Sequence, residues 1–191
     1  RDVLGSRGLG DVYKRQIPAL LLFSITAYGK ADAKTLFFIS NSHLDTQWNW
    51  DVKTTIDEYV RNTMVDNFRL FEKYPAFMLN FEGAIRYKWM KEYYPAQYET
   101  LKKYIASGQW HVSGCGVDAN DVMVSSAESI MRNWLYGKTF YMQEFGVRGG
   151  YDIMLPDCFG FSYALPSLAS HCGMKGFHTC LLYTSDAADE L

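Results

Sequence analysis

His43 and Asp45, in the run Ser42-His43-Leu44-Asp45-Thr46-Gln47-Trp48-Asn49-Trp50, and Asp157, in Met154-Leu155-Pro156-Asp157-Cys158-Phe159-Gly160, combine the residue types and spacing that bind a metal ion. In an extended chain, residues two apart point to the same side. The His43 imidazole and an Asp45 oxygen can therefore meet on one ion while Leu44 turns inward. A third ligand has to come from another segment. Asp157 is the best candidate: like the pair it follows a short apolar run, and Pro156 holds the residue before it extended. One imidazole and two carboxylates suit zinc better than calcium, which takes oxygen alone; manganese and iron also accept such a set. Taken singly, His-x-Asp is a common tripeptide, and Asp157 reads equally as a helix cap.

The elements that must position these groups alternate in type. Leu36-Phe37-Phe38-Ile39 reads as a buried strand ahead of His43. Ile56, Tyr59, Val60, Met64, Phe68, Leu70 and Phe71 recur at helical spacing and stop before Pro75, after which Phe77 to Phe81 reads as a second strand. Helices are expected over 84–92 and 95–106, the latter closed by Gly108, followed by a third strand from Trp110 to Gly114. Ser126 opens a helix with Ile130, Met131, Trp134 and Leu135 on one face, and Gly149-Gly150 breaks the chain before a fourth strand, Tyr151 to Leu155. A short helix over 163–172 leads to a fifth strand over 175–178.

This order makes an α/β fold with right-handed crossovers and a parallel sheet. One edge gathers polar residues: His43 and Asp45, then Glu82, then Asn120 and Asp121, then Asp157. Glu82 reads equally as a charged loop residue, and Asn120-Asp121 as a turn pair or cap. His111 and His171 fall inside elements and read as structural; His178 is left open.

Several motifs occur together in order. His43-x-Asp45 is followed by Trp48, then by Gly108-Gln109-Trp110 to Asn120-Asp121. Ser126-Ala127-Glu128-Ser129 with Arg132 and Leu135-Tyr136-Gly137 comes next, and last Pro156-Asp157-x-Phe159-Gly160. The series resembles glycoside hydrolase family 38 α-mannosidases, its bacterial branch in particular, from about Thr35 to Thr179. The resemblance implies a parallel β/α barrel-like fold, incomplete here, with about the first five β/α units present. A full barrel takes about 250 residues.

It further implies a zinc-dependent retaining hydrolase of α-mannosides, acting on a mannose-containing oligosaccharide or glycan, with one zinc per chain. The residues matching His43 and Asp45 bind zinc in that family. The match to Asp157 is both zinc ligand and catalytic nucleophile, and Trp48 and Asp121 match residues at the sugar. The family's fourth ligand, a histidine, and its acid/base aspartate have no assignable counterpart, so this chain by itself is expected to be inactive. A metal-dependent carbohydrate deacetylase, in which the metal activates water, is the alternative chemistry on such a scaffold, and an inactive, non-catalytic fragment is the other alternative.

The two ends read as something other than protein-coding sequence. Cys180 to Ser185 can be encoded by TGT CTC TTA TAC ACA TCT, whose reverse complement, shifted one frame, encodes Asp11 to Arg15 and begins the Gln16 codon. Inverted copies of one DNA element at both ends point to translated sequencing adapter over 1–16 and 180–191, which a library made by shearing would lack. Between them, 17–33 reads as a truncated signal peptide: Ile17 to Tyr28 is apolar but too short to span a bilayer, and Ala31-Asp32-Ala33 supplies a small-x-small cleavage site. Secretion or export to a periplasm follows. Residues 34–179 then form the N-terminal part of the catalytic domain.

The proposed adapter tails carry four of the 19 Lys+Arg and five of the 21 Asp+Glu, so the remainder is close to neutral, and no basic patch argues for nucleic acid. Cys115, Cys158 and Cys172 have no paired spacing, which excludes a Cys-rich zinc site; Cys158 reads as a small pocket-lining residue. Of the five tryptophans, Trp48 and Trp50 follow the metal pair on its loop, and the others read as core. Nothing in the sequence sets an oligomeric state.

Overall fold

The structure, a computed structural model, describes Leu36, Phe38, residues 40–147 and residues 150–179. The expectations for 1–33 and for 180–191 lie outside the described residues, as do Phe37, Ile39 and Gly149. Apart from Leu36 and Phe38, all described residues belong to one unit spanning 39–191.

Strands and helices alternate in the expected order: β1 (Asn41–Ser42), α1 (Val52–Thr54), a π-helical stretch (Thr55–Val60), α2 (Arg61–Lys73), β2 (Leu79–Glu82), α3 (Ala84–Tyr93), α4 (Pro95–Ser107), β3 (Trp110–Ser113), α5 (Ala127–Phe145), β4 (Asp152–Met154), α6 (Leu165–His171) and β5 (Gly176–His178). The helix ends follow local chemistry. Pro95 opens α4 with a preset φ, and Gly108, at φ 82°, closes it in the left-handed conformation that a side chain resists. Ser126 caps α5 by accepting from the Ser129 amide at 3.2 Å.

All strand pairs are parallel, but they form two sheets rather than one. β1, β2 and β3 pair in that order, and β4 pairs with β5. A Cβ on Gly114, just past β3, would stand 3.0 Å from the Met154 Cβ, so the chain passes close to β4 there without forming a ladder. The five parallel strands match the expected count of β/α units, and no barrel-like closure is formed among the described residues. Five short strands in two ladders make no closed sheet, where a barrel of this class closes with eight.

Two apolar clusters lie under these sheets. One joins β2 and β3 with α2, α3 and α4 through Met64, Phe71, Phe81, Tyr87, Leu101 and Trp110. Trp110 donates to the Tyr87 hydroxyl, which donates to the Phe81 carbonyl, both at 2.8 Å, so the polar ends of two large rings are satisfied within the core. The second cluster gathers Ile130 and Trp134 of α5 with Ile153, Leu155 and Leu165.

Three sequence expectations are corrected. Leu36 and Phe38 are exposed, 65% and 87%, and β1 forms further along, where the backbone and side-chain nitrogens of Asn80 both donate to the Ser40 carbonyl. Of the four apolar residues expected on one face of α5, Ile130 and Trp134 are buried while Met131 and Leu135 face outward, because the partner surface meets a narrower stripe than the apolar spacing suggested. Glu82 is the last residue of β2 and is 4% exposed, not a loop residue.

Candidate metal centre

The parallel register makes the site. Ser42 pairs with Phe81, and Glu82 with Ser113, so His43, one step beyond Ser42, emerges beside Glu82. His43 Nδ1 lies 3.7 Å from Glu82 Oε1, a buried oxygen with no hydrogen-bond partner within normal range. The other ring nitrogen, Nε2, lies 3.3 Å from Asp45 Oδ1 and 3.6 Å from Asp157 Oδ2. Leu44 points into the protein and is 9% exposed, as the two-residue spacing requires.

The three candidate ligands thus meet: His43, Asp45 and Asp157 each offer an atom within 4.8 Å of the other two. Tetrahedral zinc with bonds near 2.0–2.1 Å sets its ligands about 3.3–3.4 Å apart, close to the two observed Nε2 separations. The charge argues the same way. Three carboxylates surround one imidazole, and the neighbouring Glu82, Asp45 and Asp157 raise the His43 pKa above its ordinary value, Glu82 foremost, against the opposing effect of burial. A cluster with this excess of negative charge fits a cation, and its donor set of one nitrogen and carboxylate oxygens fits zinc.

The surrounding predicted residues divide. Trp48, on the ligand loop, is 69% exposed. Trp50 is not free for a ligand in the same way: its Nε1 donates to Thr55 Oγ1 at 2.8 Å and its ring sits 4.7 Å from that of Tyr59, so it anchors the loop to the π-helical stretch. Asp121 is exposed and stands outside the three-residue cluster; its Oδ1 accepts from the Met123 amide at 2.8 Å and the Val124 amide at 3.4 Å, the cap-like role the sequence left open. The neighbouring Asn120 carbonyl lies 3.5 Å from the Cys158 thiol, which is pushed up to about 11 by burial and then by the charges of Asp121, Glu82 and Asp157. A thiol so raised is a poor nucleophile, in keeping with a lining role.

Sequence reasoning left Glu82 unassigned and missed Arg86 and Asp118. Arg86 is 2% exposed, and its Nε donates to the Leu44 carbonyl at 2.8 Å. Only the one-turn spacing of Glu82 and Arg86 across the β2–α3 junction could have signalled a pair of buried charges there.

The N-terminal domain profile of glycosyl hydrolases family 38 matches residues 33–184. The chain belongs to glycoside hydrolase family 38. Among curated proteins, the chain is similar to alpha-mannosidase 2C1 of Homo sapiens, 32% identical over 153 residues that make 80% of this chain and 14% of that protein. It is also similar to alpha-mannosidase G of Dictyostelium discoideum, 33% identical over 141 residues, 74% and 13% of the two chains. The solved alpha-mannosidase of Enterococcus faecalis V583 shares the fold, with a TM-score of 0.65 at 24% identity over 74% of this chain and 16% of that one. So does 4-alpha-glucanotransferase from Thermococcus litoralis, with a TM-score of 0.57 at 16% identity over 73% of this chain and 21% of that one. The chain spans about one seventh of the length of these family 38 relatives.

Proposed function

We propose that this chain is the N-terminal part of the catalytic domain of a zinc-dependent retaining α-mannosidase acting on terminal α-mannosides of glycans. One observation carries the reading: in a family 38 chain, His43 Nε2 and carboxylate oxygens of Asp45 and Asp157 converge from two separate strand ends. Zinc held by these three residues supplies a Lewis acid for adjacent sugar hydroxyls.

Asp157 attacks the anomeric carbon, the leaving oxygen departs with a proton from a second carboxyl group, and water later releases the sugar from the glycosyl-enzyme. A retaining enzyme places that second group about 5–5.5 Å from the nucleophile. Neither Glu82, buried behind His43, nor Asp121, engaged by two amides, is assigned to it. The exposed Trp48 ring, three residues beyond Asp45, forms an apolar wall for the sugar, and Asp121 takes the role of a hydroxyl acceptor in this reading, as the family resemblance implies. The protein is exported on the apolar run Ile17 to Tyr28. No helix among the described residues is long and apolar enough to cross a membrane.

Elemental analysis of the purified full-length protein tests the ligand set. About one zinc per chain is expected, with loss of it in Asp45→Ala; stoichiometric zinc retained in that variant rejects the site.

A further inference from the structure

We infer that Arg86 and Asp118 form a positioning clamp that holds the metal-ligand loop by the carbonyl lying between its two ligands. This inference rests on the metal reading above. The Arg86 guanidinium is buried on the first turn of α3, yet two of its nitrogens, Nε and Nη2, turn to the loop. Nε and Nη2 both donate to the Leu44 carbonyl, Nη2 lies 3.4 Å from Thr46 Oγ1, and Nη1 reaches the Glu82 carbonyl at 3.5 Å. Leu44 is the residue between His43 and Asp45. Fixing its carbonyl sets the Leu44–Asp45 peptide plane, and with it the direction in which Asp45 leaves the backbone relative to His43.

A buried guanidinium needs a counter-charge, and Asp118 provides it at 3.0 Å from Nη2. The other Asp118 oxygen accepts from the Thr46 hydroxyl, so one carboxylate holds both the clamp and the loop it grips. Thr46 is tied a second time, through its carbonyl, to Thr55 Oγ1 at 2.9 Å in the π-helical stretch. Asp118 is itself placed by α5: Asn133 Oδ1 accepts from the Val117 and Asp118 amides at 3.0 and 3.2 Å, and Nδ2 donates to the Asp118 carbonyl at 2.9 Å. Gly83 leaves the room, since a Cβ there would stand 1.8 Å from Arg86 Nη1. Arg86 touches none of the three ligand side chains in these contacts, so it acts through the backbone that carries two of them.

The test compares full-length protein with Asp118→Asn, Arg86→Lys and Lys91→Met, the last breaking a remote ion pair to Glu144 as a control. After metal removal, each is titrated with zinc against a chromophoric chelator, its thermal midpoint is recorded, and chymotryptic cleavage after Leu44, Trp48 and Trp50 is timed. Arg86→Lys keeps the charge but loses the two-point hold on the carbonyl. Expected are a fall in zinc affinity of about tenfold or more in Asp118→Asn and Arg86→Lys and loop cleavage faster by about tenfold. Asp118→Asn, at a partly exposed position, should do this with a metal-free midpoint near the parent's, while Lys91→Met should leave zinc affinity unchanged. Parent-like cleavage and affinity in Asp118→Asn would overturn the clamp, as would an affinity loss matched in Lys91→Met. If the parent takes up no zinc, faster loop cleavage still supports the clamp and it is the metal reading that fails.

Discussion

At the scale of the residue, the site is an arrangement of charges around one imidazole. His43 has its two nitrogens on different duties: Nδ1 faces Glu82, and Nε2 faces Asp45 and Asp157. A carboxylate behind a ligating histidine fixes the tautomer and the ring plane, and losing such a partner typically costs 10- to 100-fold in metal affinity. Glu82→Leu in the full-length protein should therefore weaken zinc binding by about tenfold or more while Asp45 and Asp157 remain in place; an unchanged affinity by competition titration would remove Glu82 from the site. Asp157 bears two roles in the proposed mechanism. Asp157→Asn should lower turnover of an activated aryl α-mannoside by at least about 10⁴-fold, and added azide should restore it only in part, because the ligand set is damaged along with the nucleophile. Near-normal turnover in that variant would place the nucleophile elsewhere.

At the scale of the element, α5 holds the loop after β3 in position. Gly137 lies where α5 meets that loop, and a Cβ there would stand 2.2 Å from the Cys115 carbonyl oxygen and 2.5 Å from the Gly116 carbonyl carbon. Both are backbone atoms, so no flexible side chain can give way. Gly137→Ala gains about 1 kcal/mol of helix propensity and loses about 1–3 kcal/mol or more to overpacking. The clash wins, and a lower thermal midpoint is expected.

The same helix is tied to α3 by Lys91 and Glu144, and the Lys91 ammonium foremost lowers the Glu144 pKa below its ordinary 4.5. A carboxyl depressed in the folded state stabilises fully above its unfolded pKa and loses that contribution as pH falls through the folded value. Glu144→Gln should thus cost about 0.5–1 kcal/mol at neutral pH, given that Lys91 is half exposed, and progressively less below about pH 4. Denaturant unfolding at the two pH values measures the difference, and an equal cost at both would assign it to packing.

At the scale of the whole molecule, the chain presents surface that its own described residues leave open. Phe159, Val124 and Tyr163 are 85%, 82% and 104% exposed. A groove of about 780 Å³ runs along the outer face of α5 past Met131, Leu135 and Met142 to Met174, away from the ligand cluster. The matched segment makes up 14% and 13% of the two curated relatives, and the metal cluster here draws on three residues. The 191-residue chain assayed alone with added zinc should accordingly give no hydrolysis of an aryl α-mannoside, whereas the full-length protein should. Zinc-dependent turnover by the chain alone would mean that the acid and any further ligand are already among these residues.

Much of this was legible in the sequence, because it depends on local rules. The spacing of His43 and Asp45 fixes that both point one way in extended chain. The left-handed Gly108 and the Ser126 cap mark helix ends to within a residue. The alternation of strand and helix dictates parallel pairing. What only the tertiary structure decided depends on register and on contacts between distant segments. It put Glu82 beside His43 by one step of a parallel ladder. It turned Leu135 outward and Trp134 inward on one apolar face, and it split the expected single sheet at Gly114. Arg86 and Asp118 looked like two unremarkable charges, 32 residues apart in sequence. Burial made them a pair, because a guanidinium removed from water must find a carboxylate and acceptors wherever the fold brings them.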